Sequence, residues 1–254
     1  MRSTGIYVSI AAVFFCTVVG ARAQDPTKAA PDSYKLQMEN EYVRVLRVLY
    51  AAHSKVPVHD HSRFPAAYVY LTDSGPIVFT HTGWDHPVLT RPATRAGGFR
   101  LSPTRFEDET HAVENPGDKA SEFLRIEIRT QAPDRKSLVG RFAPFTGDRS
   151  RGVSKVEFDN SQVRVTRLLT KPGEDLDIAA PADSPSLCVF ISDDTGSTSH
   201  FASGDTRWLR PHENLKMEVL RDPSGRKRAG QVELLRFDFK TAPPPNQVMG
   251  RKVD

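Results

Sequence analysis

The stretch VRVLRVLY at residues 43–50 decides the fold, because it returns 120 residues later as VRVTRLLT at residues 163–170. Aligned without a gap, residues 40–73 and 160–193 share nine identical positions, where roughly two are expected from average residue usage. A period this long is typical of a duplicated domain and not of a solenoid. The sequence therefore predicts two copies of one structural unit.

Both copies are rich in short β-strand patterns. In FLRIEIRT at residues 123–130, apolar and charged residues alternate, and LLRFDFKT at residues 234–241 repeats the pattern. Alternation with period 2 indicates a half-buried strand, and no long stretch has a clean helical period. Short strands at close spacing favour a sandwich or barrel. We therefore predict an all-β chain that forms two tandem β-barrels.

The repeat also sets the predicted domain boundaries. The first unit covers residues 34–133 and the second covers residues 153–241, with a basic, turn-rich linker between them at residues 134–152. The other predicted segments are a signal peptide at residues 1–23, a polar linker at residues 24–33 and a Pro-rich tail at residues 242–254.

Residues 1–23 have the pattern of a Sec-type signal peptide. Arg2 precedes an apolar stretch at residues 6–19, and Ala21-Arg22-Ala23 is a cleavage signal. The alternative is a membrane anchor, but the apolar run is short and no second hydrophobic segment follows it. We expect cleavage after Ala23, a periplasmic or secreted protein, and no membrane contact after cleavage. The one remaining thiol, Cys188, lies in an apolar run and is predicted to be buried and inert.

The charge of the chain argues against a nucleic-acid partner. The formal net charge of +4 comes from 35 basic and 31 acidic residues, which is too small and too mixed for such a role. A small molecule is the partner that we expect. Both a monomer and a homodimer are compatible with the sequence, because the two copies can pair with each other inside one chain.

Three histidines of the first copy form a candidate metal site. In VPVHDH at residues 56–61, His59 and His61 are two apart, so in a strand they point to the same face. Imidazole is a ligand for Zn, Cu, Fe and Ni. A third ligand has to come from elsewhere, and His111 in ETHAVENPGD at residues 109–118 is the candidate.

These motifs, in this order and within a duplicated β unit, resemble the cupin superfamily. His59, His61, His111 and Asn115 fall on the family's motif positions. The resemblance covers residues 35–130 and 153–241 and implies a bicupin, which is two tandem jelly-roll barrels. It also implies one divalent metal ion, for which Fe, Mn, Zn, Ni and Cu all remain open.

The chain also departs from the family pattern. The family's glutamate should fall near residues 65–66, where Pro65 and Ala66 stand, so the site looks like a three-histidine cupin. In the second copy, Ala179 and Pro181 replace the histidine pair. That copy is therefore expected to bind no metal and to act as a degenerate partner.

Other side chains give weaker signals. Four aromatic residues are candidates for the wall of a substrate pocket, although strand aromatics are more often core residues: Tyr68, Tyr70, Phe79 and Phe99. Five histidines have no motif position and are predicted to be surface or core residues, with the first of them the best candidate for an auxiliary ligand: His53, His81, His86, His200 and His212.

Fold alone does not choose the function of a cupin. The first hypothesis is a metal-dependent enzyme, oxygenase- or isomerase-like, that acts on a small molecule. The alternative is a non-catalytic cupin of the cell envelope that binds or senses a small ligand. The absence of the family's glutamate keeps this alternative open. Catalytic residues are not assigned from the sequence.

Overall fold

The first copy folds into two antiparallel sheets that enclose an apolar core. A computed structural model describes residues 24–103, 109–132, 134, 136–192, 201–218, 223–225 and 230–245. The predicted signal peptide lies outside these residues. The six-stranded sheet has the order β1-β2-β9-β4-β7-β10, and the four-stranded sheet has the order β3-β8-β5-β6. The strands are β1 (Tyr34–Glu39), β2 (Val43–Tyr50), β3 (Lys55–His61), β4 (Ala66–Tyr70), β5 (Ile77–His81), β6 (Val88–Arg91), β7 (Phe99–Ser102), β8 (Glu109–Glu114), β9 (Ser121–Ile128) and β10 (Gly140–Phe142).

The second copy repeats this plan with fewer strands in the described part of the chain. Its five-stranded sheet has the order β11-β12-β17-β14-β15, and β13 pairs with β16 in a two-stranded sheet. The central strands β12, β17 and β14 occupy the places of β2, β9 and β4, as the sequence repeat predicts. The strands are β11 (Val153–Asp159), β12 (Val163–Leu169), β13 (Leu176–Ala179), β14 (Ser186–Phe190), β15 (Thr206–Leu209), β16 (Asn214–Met217) and β17 (Glu233–Phe239). The all-β class and the tandem barrels are confirmed.

The two large sheets pack against each other and form a shared core between the barrels. In β2, Val43 and Val45 face the second barrel, whereas Leu46 and Val48 face the interior of the first. The alternation in β9 predicts a half-buried strand, but Arg125 is only 4% exposed. Both faces of β9 are buried because one faces the other barrel and the other faces the barrel's own interior. The charged face of this strand therefore points into the first barrel.

Both segments assigned to linkers contain regular structure. In the first, Pro26–Ala29 forms the short helix α1, and Asp25 lies 2.7 Å from Arg44 of β2. The second supplies β10, which pairs with β7 at the edge of the first barrel's sheet, and a 3₁₀ turn at Arg149–Arg151. The second linker is thus part of the first barrel's wall.

Other sequence expectations can be placed on this fold. Cys188 is a free, buried thiol inside the second barrel, where burial raises its pKa to about 12. Residues 246–254 of the predicted tail lie outside the described residues. In the described part of the chain, no helix has the length and apolar character needed to cross a bilayer.

Candidate metal centre

Strands β3 and β8 bring the three predicted histidines together. His59 lies directly opposite His111 in the antiparallel pair, after a register shift between Val56 and His59. His61 is two residues further along β3 and faces the same side. The ring centroids of His59 lie 4.8 Å from those of His61 and His111. One ligand atom from each ring lies within 4.8 Å of the other two.

Hydrogen bonds leave the nitrogens of these rings available as ligands. Nδ1 of His59 lies 2.8 Å from the Pro57 carbonyl oxygen, which only accepts, so Nδ1–H is the donor. Nε2 of a neutral His59 therefore carries a lone pair. This Nε2 lies 3.2 Å from Nε2 of His61 and 2.9 Å from the Tyr34 hydroxyl. The contact of Nδ1 of His59 with the Pro57 carbonyl is typical of metal-ligating histidines.

Unpaired buried nitrogens support the same conclusion. Both ring nitrogens of His111 and Nδ1 of His61 are buried without a hydrogen-bond partner in the described part of the chain. A buried polar atom without a partner is costly. A bound metal ion supplies a partner for one nitrogen of a ring such as that of His111, so these residues fit a divalent metal.

The environment keeps these imidazoles neutral. Burial and, to a smaller extent, the neighbouring His111 lower the pKa of His59 to about 4. Burial also places the pKa of His61 well below its ordinary value, and the charge of Arg125 acts in the same direction. The pKa of His111 is lowered by burial as well, against the opposing effect of Glu109. Metal binding at neutral pH therefore needs no proton release from these rings.

Sequence reasoning missed two further residues of the centre, Glu109 and His81. Glu109 is two residues before His111 in β8, so its side chain shares the face of that histidine. Its Oε1 lies 3.5 Å from Nδ1 of His111 and 3.5 Å from Nε2 of His81. A second group of three potential ligands is therefore formed by His81, Glu109 and His111. The i, i+2 spacing of Glu109 and His111 in the sequence is a signal that could have identified Glu109.

The carboxylate of Glu109 is held in its ionised form. Burial alone would raise its pKa, but His111, His81 and Arg125 together place it well below its ordinary value. Nη1 of Arg125 lies 3.4 Å from Oε2 of Glu109. A buried carboxylate with a fixed negative charge therefore lies beside the three histidines.

Tyr34, Tyr50 and Asn115 support the centre from outside it. The Tyr34 and Tyr50 hydroxyl groups are 2.5 Å apart, so the Tyr34 hydroxyl links His59 to a second phenol. Asn115 donates to the carbonyl oxygens of Tyr50 and Lys119, at 3.0 and 2.9 Å. This motif residue therefore fixes the chain after β8 and does not lie among the ligands.

A cavity of about 80 Å³ opens beside the histidines. His61, Glu109 and His111 line one side of it, and the candidate wall residues Tyr68 and Phe79 also line it. The volume is enough for several water molecules or a compact ligand group, because one water needs about 10–15 Å³.

The other two candidate wall residues lie elsewhere. Tyr70 packs in the barrel core against Phe123, with ring centroids 6.3 Å apart, and does not line this cavity. Phe99 faces the second barrel and stacks on Phe142 at a centroid distance of 4.3 Å. Phe99 lies on the outer face of β7, and both Tyr70 and Phe99 line a groove that adjoins this cavity.

The remaining histidines lie away from the centre or outside the described residues. His53 is exposed and its Nε2 lies 2.9 Å from Asp118, so it is not an auxiliary ligand of this cluster. His86 and His212 are exposed. His200 lies outside the described residues. In the described part of the second barrel, no group of potential metal ligands occurs, and Ala179 stands at the end of β13.

The fold and the centre define a double-barrel β protein with one histidine-rich cavity. No protein-family model matches the chain, and no curated protein sequence does. Solved structures are similar: the nickel(II) complex of the pirin YhhW from Escherichia coli has a TM-score of 0.54 at 12% identity, covering 83% of this chain and 90% of that one.

Two further structures have the same fold. YhaK from Escherichia coli has a TM-score of 0.51 at 12% identity, with 82% of this chain and 91% of that chain covered. Quercetin 2,3-dioxygenase from Acinetobacter baumannii has a TM-score of 0.50 at 9% identity, with 80% and 75% covered. These neighbours are cupin-fold proteins. The chain therefore has the cupin fold.

Proposed function

We propose that this chain is an exported, metal-dependent enzyme that acts on a small molecule with oxygenase- or isomerase-like chemistry. The observation that carries the proposal is the convergence of His59, His61 and His111, whose ligand atoms lie within 4.8 Å of one another in a buried site. Two structural neighbours, a pirin in complex with nickel(II) and a quercetin 2,3-dioxygenase, are consistent with it.

The three imidazoles would hold the metal, and Glu109 and His81 complete its surroundings. A divalent ion held there supplies a Lewis acid or, for a redox-active metal, a redox centre. The three imidazoles are neutral, and the one carboxylate beside them, Glu109, also pairs with Arg125. A divalent ion held there would therefore keep a net positive charge, which favours the binding of an anionic group in the cavity. The contact from Nδ1 of His59 to the Pro57 carbonyl fixes the tautomer and the orientation of that ring.

Glu109 is the group that moves a proton in this proposal. Its carboxylate lines the cavity, and Arg125 holds it in the ionised form. An ionised carboxylate that lines the cavity can accept a proton, although its lowered pKa makes it a weaker base than an ordinary glutamate. This residue favours an enzyme over the alternative, which is a cell-envelope protein that binds or senses a small ligand without catalysis.

Metal analysis tests the proposal. Protein stripped with chelator and reconstituted separately with Fe(II), Mn(II), Zn(II), Ni(II) and Cu(II) is expected to retain about one ion per chain for at least one metal. His59→Ala and His111→Ala should retain none while keeping the circular dichroism spectrum of the wild type. His53→Ala is the matched control, because His53 is exposed and 2.9 Å from Asp118. Equal metal content in all four proteins would refute the proposal.

Turnover separates the enzyme from the binding protein. Oxygen uptake by the Fe(II)-loaded protein is measured with a panel of thiols, diketones and phenols, and isomerisation of the same compounds is followed by NMR. Glu109→Gln should weaken metal binding by no more than about 10–100-fold, so this variant is assayed at saturating metal, where its turnover should fall at least a hundredfold. Saturable binding of a compound without its conversion would favour the alternative function.

Export has its own test. Expression with residues 1–23 included in a bacterial host should give a periplasmic protein, because Ala21-Arg22-Ala23 has the pattern of a cleavage signal. Its intact mass should match a chain that begins at Gln24. An uncleaved chain in the cytoplasm would contradict export without affecting the metal site.

A further inference from the structure

A row of arginines crosses the inner face of the six-stranded sheet beside the metal centre. On one level of the sheet, Arg125 of β9 pairs with Tyr68 of β4, and Tyr68 pairs with Arg100 of β7. Arg100 in turn pairs with Arg141 of β10. The row starts at the Glu109 carboxylate and ends at the edge of the sheet.

The inner end of this row is neutralised, and the outer end is not. Arg125 lies 3.4 Å from Glu109 and 3.3 Å from Glu127. Within the described part of the chain, no carboxylate lies within 4.0 Å of Arg100 or Arg141. Like charges directly opposite each other on neighbouring strands destabilise a sheet. Among the described residues, these two paired arginines therefore have no counter-charge at the mouth of the cavity.

Arg91, at the end of β6, adds a third guanidinium from the opposite sheet. It is 8% exposed, and its Nη2 donates to Ser121 Oγ at 2.8 Å and to Ser74 Oγ at 3.2 Å. Its Nε is buried without a hydrogen-bond partner, as is Nε of Arg100. No described carboxylate is paired with Arg91 either. Burial lowers the pKa of Arg91, and the nearby Arg100 lowers it further, yet an arginine remains charged in proteins.

These guanidiniums lie where a ligand would enter. Arg91, Arg100 and Arg141 line both the cavity beside His111 and an adjoining groove of about 440 Å³. The guanidinium carbon of Arg100 lies 4.3 Å from the ring centre of Tyr68. Tyr68 thus lies between Arg100 and Arg125 on the path from the groove to the histidines.

We propose that Arg91, Arg100 and Arg141 bind the oxyanion group of a small organic anion whose apolar body lies against Tyr68 and Phe79. The inference rests on the proposed function for the role of this anion as substrate. Guanidinium groups bind carboxylates and phosphates through paired hydrogen bonds, so the oxyanion is the recognised chemistry. The bound oxyanion supplies the counter-charge that the three arginines lack among the described residues. Its position holds the other end of the molecule near Glu109 and His111.

Binding of three probes tests this inference. Benzoate, phenyl phosphate and the neutral analogue benzamide are titrated calorimetrically into metal-free and metal-loaded protein at low salt. At least one of the two anions should bind tenfold or more tightly than benzamide in both states, and salt should weaken its binding. The anion that binds more tightly identifies the oxyanion as a carboxylate or a phosphate.

Substitutions assign the binding to the arginines. Arg100→Gln and Arg91→Gln should each weaken the binding of that anion tenfold or more. Arg141→Gln should weaken it at least threefold, and it provides a variant at an exposed edge position if Arg91→Gln does not fold. Arg151→Gln, in which an 88% exposed arginine outside the groove is replaced, is the matched control and should bind like the wild type.

The outcomes separate this inference from the proposed function. Equal affinity for benzoate, phenyl phosphate and benzamide, no binding of either anion, or wild-type affinity in the arginine variants would overturn the anion site. Metal analysis of the same samples reports on the histidines alone. Arg-dependent anion binding in protein that takes up no metal would support the anion site and refute the metal-dependent enzyme.

Discussion

His81 and His111 lie directly opposite each other on β5 and β8, with ring centroids 5.1 Å apart. His81 also stacks on Trp84 at 3.8 Å, and its Nδ1 lies 3.3 Å from the Pro87 carbonyl oxygen. Its Nε2 faces Glu109 and is not hydrogen-bonded to His59 or His61. We infer that His81 positions Glu109 beside the metal and is not one of the three principal ligands.

The first prediction concerns His81→Gln. This substitution should weaken Zn(II) binding by about 10–100-fold, the usual effect of losing a residue that orients a ligand, whereas His59→Ala should abolish it. Competition with a chromophoric chelator measures both affinities, with His53→Ala as the control. Complete loss of binding in His81→Gln would instead make His81 a principal ligand.

The second prediction concerns Arg125, which is 4% exposed and paired with both Glu109 and Glu127. Arg125→Met should lower the free energy of unfolding by about 3–5 kcal/mol, because it removes the closest cation of two buried carboxylates. Urea unfolding measures the loss. Arg151→Met at an 88% exposed position should change it by less than about 0.5 kcal/mol. Adding Glu109→Gln should recover part of the loss, and a double variant no more stable than Arg125→Met would contradict the pairing.

The sequence predicted the fold and three residues of the centre, His59, His61 and His111, because these depend on a repeat and on motifs that are visible in the sequence. The repeat at residues 43–50 and 163–170 exposes the duplication, and the spacing of His59 and His61 places both rings on one face. Glu109 has the same spacing from His111. It was not predicted because the family pattern places its glutamate near Pro65. The His59–His61 spacing and the Glu109–His111 spacing each lie within a single strand.

The missing parts of the centre depend on the register between strands. His81 reaches His111 through the pairing of β5 with β8, and Arg141 reaches Arg100 through a strand inside a predicted linker. Alternation within one strand gives two faces but does not say which face meets the other barrel. Phe99, which the sequence predicts in the pocket wall, lies in the shared core and lines the adjoining groove.

The third prediction is a dependence of stability on acid pH through Asp25. Burial would raise the pKa of Asp25, but hydrogen bonds from Arg44 and Thr27 outweigh this and lower it from 3.8 to about 2. A carboxylate with a depressed pKa stabilises the fold above pH 4, and this contribution is lost as the pH falls from about 4 to 2. For this half-buried group it amounts to about 1–2 kcal/mol.

Urea unfolding of Asp25→Asn between pH 2 and pH 6 tests that contribution. The variant should be less stable than the wild type at pH 6, and the two should converge at pH 2. Asp118→Asn is the control, since this side chain is 95% exposed. A constant difference across the pH range would show that the charge of Asp25 is not the cause.

The fourth prediction contrasts Phe99 with Phe79. Phe99 is 1% exposed in the core shared by the barrels, so Phe99→Ala should lower the free energy of unfolding by about 3–5 kcal/mol. Phe79 is only partly buried and lines the cavity, so Phe79→Ala should cost about half as much. The Phe79 variant should also weaken binding of the probe anion, because it removes apolar surface from the cavity wall. Urea unfolding and calorimetric titration measure the two effects, and a Phe99 variant with wild-type stability would contradict the packing between the barrels.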